Sequence, residues 1–482
     1  MSTTEARVDA LLRQVEAVAS PEVKAVAACR LAALHDPLRL AVVGRVKAGK
    51  STLVNALIGR RIAPTRAGEC TRVVTWFEFG SPDGDAAVHC HDGRTIPIAL
   101  VDGRLPEDLP VPPEEVRRLV VRLQSASLRG LTLIDTPGLS SLTAENEQVT
   151  RSAILGDSLA SRHATGDADA VLFLFRQEQR DDEAEFLREF REASGEMNGS
   201  AVNAVGVLSQ ADLLADPQSD DPMAPAREHA ARLAETRVGE VGDVVPVSGL
   251  LAETSCTGRL RERDVVDLAG LAEVASVRLR TGVGLDAVID PARLRDLQAK
   301  LGPFGVEAGR TVAGQGSEAF VRWMADVSGI VGLRQRLQDH VRARAGGLKA
   351  LRALDAVERA ARHSGRDQQT LDLVEQALMD PQLQIVREIQ AIGMLRSTQV
   401  ATDLIPELER LSKSGGPLVR LGLPPGTPSS QVAAEARRRA AAAQTRATLS
   451  FAPGEAEAAR VLAQSYRRIA TLSDGPPPPP PG

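Results

Sequence analysis

Gly44-Arg45-Val46-Lys47-Ala48-Gly49-Lys50-Ser51 fits the pattern G-x-x-x-x-G-K-[ST], and its flanks decide how it is read. The apolar run Leu38 to Val43 precedes it, and the helix-like run Thr52 to Ile58 follows. Strand, loop and helix in that order form the setting in which such a loop wraps a phosphate. The glycines let the chain curl so that backbone N–H groups point inward, and the helix start adds positive potential at the same place. Gly44, Ala48, Gly49, Lys50, Ser51 and Thr52 are therefore the expected phosphate cradle. Lys50 would reach the β- and γ-phosphates, and the Ser51 hydroxyl would ligate Mg²⁺.

The strand that opens this motif does not stand alone. Strand-sized apolar runs lie at 38–43, 73–79, 86–91, 95–98, 117–123, 131–134, 170–175, 202–208 and 243–247, with helical runs between them. That alternation predicts an α/β domain built on a mixed, mostly parallel sheet. Residues 5 to 35 carry Val8, Leu11, Leu12, Val15 and Val18 at helical spacing, interrupted at Pro21. Beyond about 262 the strand signals stop, and Ala-, Leu- and Arg-rich amphipathic stretches such as 330–362 and 429–447 predict an all-helical region. The expected organisation is N-terminal helices at 1–36, the α/β domain at 37–262, helices at 263–474 and a polyproline tail at 475–482.

Bulk properties narrow the function classes. The 482 residues carry a formal charge of −5 with both signs interspersed, so no whole-chain basic field argues for nucleic acid. Cys29, Cys70, Cys90 and Cys256 lack paired spacing, which suits a reducing cytosol. No apolar run approaches the ~18–20 residues needed to span a bilayer, so any membrane contact is expected to be peripheral.

Later motifs extend the phosphate loop into a switch-type site. Asp135-Thr136-Pro137-Gly138 follows the apolar run Leu131 to Ile134. An Asp at the tip of a neighbouring strand holds Mg²⁺ through water, and Gly138 offers a backbone N–H to the γ-phosphate and a pivot. Thr71 stands in a polar loop just before the second strand, where a hydroxyl can ligate Mg²⁺ and position water. Ser209-Gln210-Ala211-Asp212 ends a further apolar strand, where guanine-specific sites read [NT]-K-x-D. Asp212 keeps the acceptor for the guanine edge, while Gln210 replaces the base-covering Lys. That substitution leaves an ATP-using P-loop protein as an alternative. Ser248 follows the last strand and would set a backbone N–H against the base. Leu139 stands where many small GTPases carry a water-orienting Gln, which predicts slow turnover by an isolated monomer. Lys47 offers a positive charge inside the loop, a catalytic candidate for the α- and γ-phosphate bridge.

The run Gly44 to Gly59 (GRVKAGKSTLVNALIG), the segment IAPTRAGECTRVVTWF, the Asp135 to Gly138 motif and the VVPVSGLL segment at 244–251 together resemble the bacterial dynamin-like GTPases, in particular the isoniazid-inducible IniC type of actinobacteria. The resemblance implies a GTPase (G) domain on a helical neck and stalk, using GTP/GDP and Mg²⁺. It implies that the N-terminal helices pack with helices after 262. It implies nucleotide-dependent dimerisation through G domains, a possible paralogous partner, and remodelling or repair of the plasma membrane from its inner, cytoplasmic face through contact with anionic lipid. A regulatory or assembly switch acting on a protein partner without lipid contact is the alternative. The Arg437-Arg438-Arg439 run with Arg446 and the later Arg467-Arg468 supplies the candidate lipid-facing charge.

Overall fold

The computed structural model describes residues 3–45, 47–64, 73–80, 84–136, 168–177, 203–237, 241–281, 283–365, 367–413 and 415–474. Thr71, Gly138, Leu139 and the polyproline tail lie outside the described residues.

Nine strands form one sheet: β1 (Leu38–Gly44), β2 (Thr75–Phe79), β3 (Asp85–Cys90), β4 (Thr95–Ile98), β5 (Val116–Leu123), β6 (Leu131–Asp135), β7 (Ala170–Phe175), β8 (Ala204–Ser209) and β9 (Val244–Val247). Their order across the sheet is β4-β3-β5-β2-β6-β1-β7-β8-β9. The β6-β1-β7-β8-β9 side is parallel throughout, and β2 enters antiparallel to β6. Each of the nine runs read from sequence forms a strand within two residues. The central ones read clearly because a parallel strand covered on both faces is apolar at every position, as Val171 to Phe175 are. The Asp92-Gly93 turn closes the β3–β4 hairpin, and Thr95 approaches His89 at 3.2 Å across it.

The first two helices, α1 (Thr3–Val18) and α2 (Pro21–His35), form a hairpin whose Val8, Leu11, Leu12, Val15, Val23 and Ala27 are fully buried. α3 (Lys50–Ile58) follows the phosphate loop, and α4 (Ala224–Thr236) and α5 (Gly249–Cys256) flank β8 and β9. Then come α6 (Glu262–Ala269), α7 (Ser276–Thr281), α8 (Pro291–Ala313), α9 (Ser317–Val327) and α10 (Ile330–Arg336). These helices are not spatially separate from the α/β part. Val265, Leu297, Leu301 and Phe320 share a core with Ala211, Met223 and Leu251, and Ile330, Leu333 and Val341 enter the main sheet core. The end of strand signals near 262 marks a change of secondary structure, not a boundary in space. A helix has an apolar stripe of its own and buries it on whatever face is open, here the α5 side.

The stretch 330–362 is not one helix. A π-helical turn, Leu337–Val341, and a 3₁₀ turn, Arg342–Arg344, separate α10 from α11 (Ala345–Ser364). Past this junction lie α12 (Gln368–Leu378), α13 (Gln384–Thr398), α14 (Ile405–Leu411), α15 (Pro417–Leu421), α16 (Ser429–Leu449) and α17 (Pro453–Ser473). The α1–α2 hairpin packs on α11 and α12, with Leu354, Val357, Ala361 and Val374 in the shared core. Arg352 of α11 reaches into the base of the sheet, 3.1 Å from Asp169, and Asp169 in turn accepts from the Arg39 N–H at 2.9 Å. α16 and α17 meet along alanines (Ala436, Ala440, Ala459, Ala463), which lets two long helices approach closely over α13. Of the apolar residues between 378 and 424, Ile389, Ile392, Leu395, Leu408 and Leu411 are buried in that same core, while Leu383 and Val386 enter the core of the α1–α2 hairpin. Among the described residues no helix is long and apolar enough to cross a membrane.

Candidate functional site

The site lies where β1, β6, β7, β8 and β9 end on the same edge of the sheet. Gly44 closes β1, and a Cβ there would stand 2.9 Å from both the Cβ and the carbonyl oxygen of Leu174 on β7, so only glycine lets the chain turn away beside that strand. Gly49 caps α3 in the left-handed region, φ 86°. Lys50 then begins the helix. Its side chain is 8% exposed and folds back over the loop, with Nζ donating to the carbonyls of Gly44 and Arg45 at 3.0 Å each. Burial pulls its pKa down to about 8, and the nearby Asp135 charge opposes that shift.

Asp135 ends β6, the strand next to β1. Its Oδ2 accepts from Ser51 Oγ at 2.9 Å, while Oδ1 is buried with no hydrogen-bond partner. Burial raises this carboxyl to about 6 despite the Lys50 charge and the Ser51 bond. The next residue, Thr136, donates to the Val42 carbonyl at 2.9 Å and ties the end of β6 to β1. A hydroxyl paired with one carboxylate oxygen, beside a second oxygen lacking any donor, suits a hard divalent cation that prefers oxygen ligands. The residues present therefore fit Mg²⁺, with Ser51 and Asp135 to hold it.

A cavity of about 220 Å³ runs from the loop toward β8 and β9. Ala48, Gly49 and Thr52 line its phosphate end; Gln210, Asp212 and Leu250 line the other. Gln210 sits in the left-handed region, φ 55°, and its amide donates to the Lys47 carbonyl at 3.4 Å. A neutral side chain thus ties the β8 loop to the phosphate loop in place of the expected cation. Ser209 lines the cavity, but its hydroxyl is committed to the Phe175 carbonyl, to which it donates at 2.8 Å. Lys47 is exposed, φ 63°. Ser248 departs from expectation: its N–H donates to the Ser328 carbonyl at 3.0 Å, so that donor is not available to a base, and Gly249 lines the cavity instead. The Ser248 hydroxyl is buried without a partner.

Two features escaped the sequence reading. Asn55, on α3, accepts from the N–H groups of Ile62 (3.0 Å) and Ala63 (2.8 Å). Its amide donates to the Ala63 carbonyl (3.1 Å) and to Glu253 of α5 (2.8 Å). All four of its hydrogen-bonding positions are used, and the loop leading toward Thr71 is clamped at its root. The signal was a lone amide inside the apolar run Leu53-Val54-Asn55-Ala56-Leu57. The second is the kink in α8 at Gly302-Pro303, where Gly302 takes φ 70° and ψ 171°. A Cβ at Gly302 would come within 3.8 Å of Asp212, so the kink abuts the base end of the cavity.

Residues 40–210 match the Dynamin family. Over 441 residues the chain is 32% identical to the isoniazid-induced protein IniC of Mycobacterium tuberculosis (strain ATCC 25618 / H37Rv), an alignment covering 85% of this chain and 86% of that protein. The chain belongs to the dynamin-like GTPases. A bacterial dynamin-like protein of Nostoc punctiforme is 32% identical over 124 residues, 23% of this chain and 18% of that protein. A solved structure of an oligomerised bacterial dynamin pair, described as a mechanism for the long-range sensing and tethering of membranes, aligns with 98% of this chain and 75% of its own. That alignment has 12% identity and a TM-score of 0.32, too low to support a structural inference. Members of the family hydrolyse GTP with Mg²⁺, so this dynamin-like protein is a GTPase and the reading as an ATP-using protein falls away.

Proposed function

We propose that this dynamin-like GTPase turns over GTP as a dimer joined through its G domains and uses that cycle to remodel or repair the cytoplasmic membrane from its inner face. The observation that carries the nucleotide half is the buried group formed by Lys50, Ser51 and Asp135 at the mouth of the cavity that ends at Asp212. In this reading Lys50 leaves the loop carbonyls for the β- and γ-phosphates, and Gly44, Ala48, Gly49 and Thr52 enclose them. Mg²⁺, when bound, neutralises charge on the phosphate oxygens. Ser51 would ligate it and Asp135 would hold it through water, with Thr71 to complete the set and orient water and Gly138 to donate to the γ-phosphate. Asp212 accepts from the guanine edge, and the Gln210 amide keeps the base loop docked on the phosphate loop. Lys47, exposed beside the site, supplies positive charge to the bridging oxygens once the dimer covers it. The α1–α2 hairpin with α11 and α12 serves as the neck, and α13 to α17 as the stalk that meets anionic lipid or a paralogous partner.

One observation favours the second reading, a switch acting on a protein partner without lipid. Arg437, Arg438, Arg439 and Arg446 are each ion-paired within the helices, to Asp474, Glu435, Glu435, and Asp403 with Glu455. An arginine already matched by a carboxylate gives little net attraction to lipid. The deciding measurement is GTPase rate per molecule against protein concentration, with and without anionic liposomes. A rate that rises with concentration, and rises further on liposomes, is expected. A rate flat in concentration would remove the dimer, and absence of any liposome effect or co-sedimentation in every nucleotide state would leave the protein-partner switch.

A further inference from the structure

At the other end of the strands from the nucleotide loop, a cavity of about 440 Å³ opens between α1, the turn after α10 and the C-terminal helices. Arg342, Lys413, Arg420 and Arg468 line it, against a single carboxylate, Glu5. Ala345, Gly346 and Gly347 form part of its wall and place almost no side chain in it. The cations differ in how far they are neutralised. Arg420 shares Glu388 at 2.6 Å, and Lys413 stands a loose 3.7 Å from Asp339. Arg342 donates to the Ser127 carbonyl, which fixes its guanidinium without cancelling its charge. Arg468 makes no hydrogen bond or ion pair among the described residues; burial and the like charge of Arg420 push its pKa down against the more distant pull of Glu388 and Asp380. A second cavity, of about 450 Å³, is lined by Arg438, Arg439 and Arg446, but those are the arginines already paired with Glu435, Asp403 and Glu455. Four cations face one lining carboxylate at the first cavity, with Arg468 unpaired and Lys413 only loosely paired, whereas at the second the arginines are closely paired.

We infer that the cavity of Arg342, Lys413, Arg420 and Arg468 binds a phosphate-bearing anion, separate from the GTP site. Arginine forks and a lysine converging on one small space match tetrahedral oxyanions, whether the phosphate is free or carried on a lipid headgroup. The walls come from α1, from the 337–344 junction with the start of α11, and from the C-terminal helices α13, α14, α15 and α17. A bound anion would therefore brace the π and 3₁₀ turns that join the sheet core to α11.

The test uses the full chain saturated with GDP and Mg²⁺, so that added phosphate cannot register at the nucleotide loop. Inorganic pyrophosphate is titrated by calorimetry and by thermal shift. Saturable binding is expected, weakened about tenfold or more in a Lys413→Gln/Arg468→Gln double variant, as loss of charge-assisted bonds predicts. GTP hydrolysis in phosphate-free buffer should be unchanged in that variant. Vesicles of phosphatidylcholine with and without phosphatidic acid form the second arm: recruitment that the double variant abolishes assigns the phosphate to a headgroup, and pyrophosphate binding alone assigns it to a soluble anion. Should the double variant fail to fold, the single Arg468→Glu variant reads the same way. Binding of neither probe, or binding the variants leave intact, overturns the inference.

Discussion

Asp135 at the end of β6 and Asp264 in α6 are both buried carboxyls beside a lysine, yet their surroundings treat them in opposite ways. Burial pushes Asp264 up, but bonds from Lys300 (2.8 Å), the Arg261 N–H (2.9 Å) and Arg293 (2.8 Å) outweigh it and hold the carboxyl below its usual range. At Asp135 burial wins, the pKa rises to about 6, and one oxygen has no donor at all. The first arrangement is complete in itself and fastens α6 to α8. The second is incomplete, with one oxygen left open on the side where the proposed nucleotide and metal would sit. Perturbed titration with unsatisfied valence marks a site; perturbed titration with every valence filled marks architecture.

The largest expected effect is on the incomplete side. Lys50→Ala should lower kcat for GTP by about a thousandfold, the scale of losing a transition-state charge donor, while leaving the melting temperature nearly unchanged. A variant that hydrolyses GTP normally would end the assignment of this loop to the γ-phosphate. On the complete side, Asp264→Ala removes one acceptor each from Lys300, Arg293 and the Arg261 N–H, leaving the two cations only Asp296 and Asp267, and should cost about 3 kcal/mol in urea unfolding. Its kcat should change far less than its stability. If instead Asp264→Ala loses activity and keeps stability, the contrast between the two acids fails.

Asn55 tests whether architecture and site are separable. Asn55→Ala leaves the Ile62 and Ala63 N–H groups without partners in the interior and Glu253 with only Arg61 and Arg259, which should cost about 2–3 kcal/mol. It should also loosen the loop toward Thr71, seen as faster amide exchange at Ile62 and Ala63 and a raised KM for GTP. Stability loss without any change in exchange there would assign Asn55 to packing alone.

The sheet was legible because its code is local: apolar runs of strand length separated by loops, and one motif whose spacing is fixed by a phosphate. The phosphate end of the site was legible for the same reason. The base end was less so, because Gln210 departs from the usual pattern and because the Ser248 N–H is claimed by Ser328, a residue far along the chain. Helices after 262 were legible as helices, but not their placement. An amphipathic stripe says that a face is buried without saying against what, so the shared core of Leu251, Leu297 and Phe320 could not be read in advance. The arginines of 437–446 show the same limit: the carboxylates that pair with Arg437 and Arg446, at 403, 455 and 474, come from the turn before α14, the start of α17 and the chain just past it.

The smallest expected effect concerns Asp355 of α11, a third kind of acid, half-buried. Burial raises it to about 7, Arg359 opposes that shift and Glu358 adds to it. Its folded pKa thus exceeds its ordinary value of 3.8, so the folded state holds the proton longer than the unfolded chain does. The resulting stability is fully present below pH 3.8 and is lost as pH rises through about 7. Asp355→Asn removes the ionising group, so the variant should match the wild type near pH 4 and exceed it at pH 8. A shift of this size would be worth more in a dry interior, but the side chain is only partly enclosed, and screening brings the gain to about 2 kcal/mol. His340 pulls the other way, because burial lowers it to about 4 and the neutral form is lost on acidification. Urea unfolding of both proteins from pH 4 to 8 cancels the His340 contribution in the difference. A variant that gains nothing at pH 8, or that differs most at pH 4, would show that Asp355 is satisfied in the manner of Asp264 and not strained by burial.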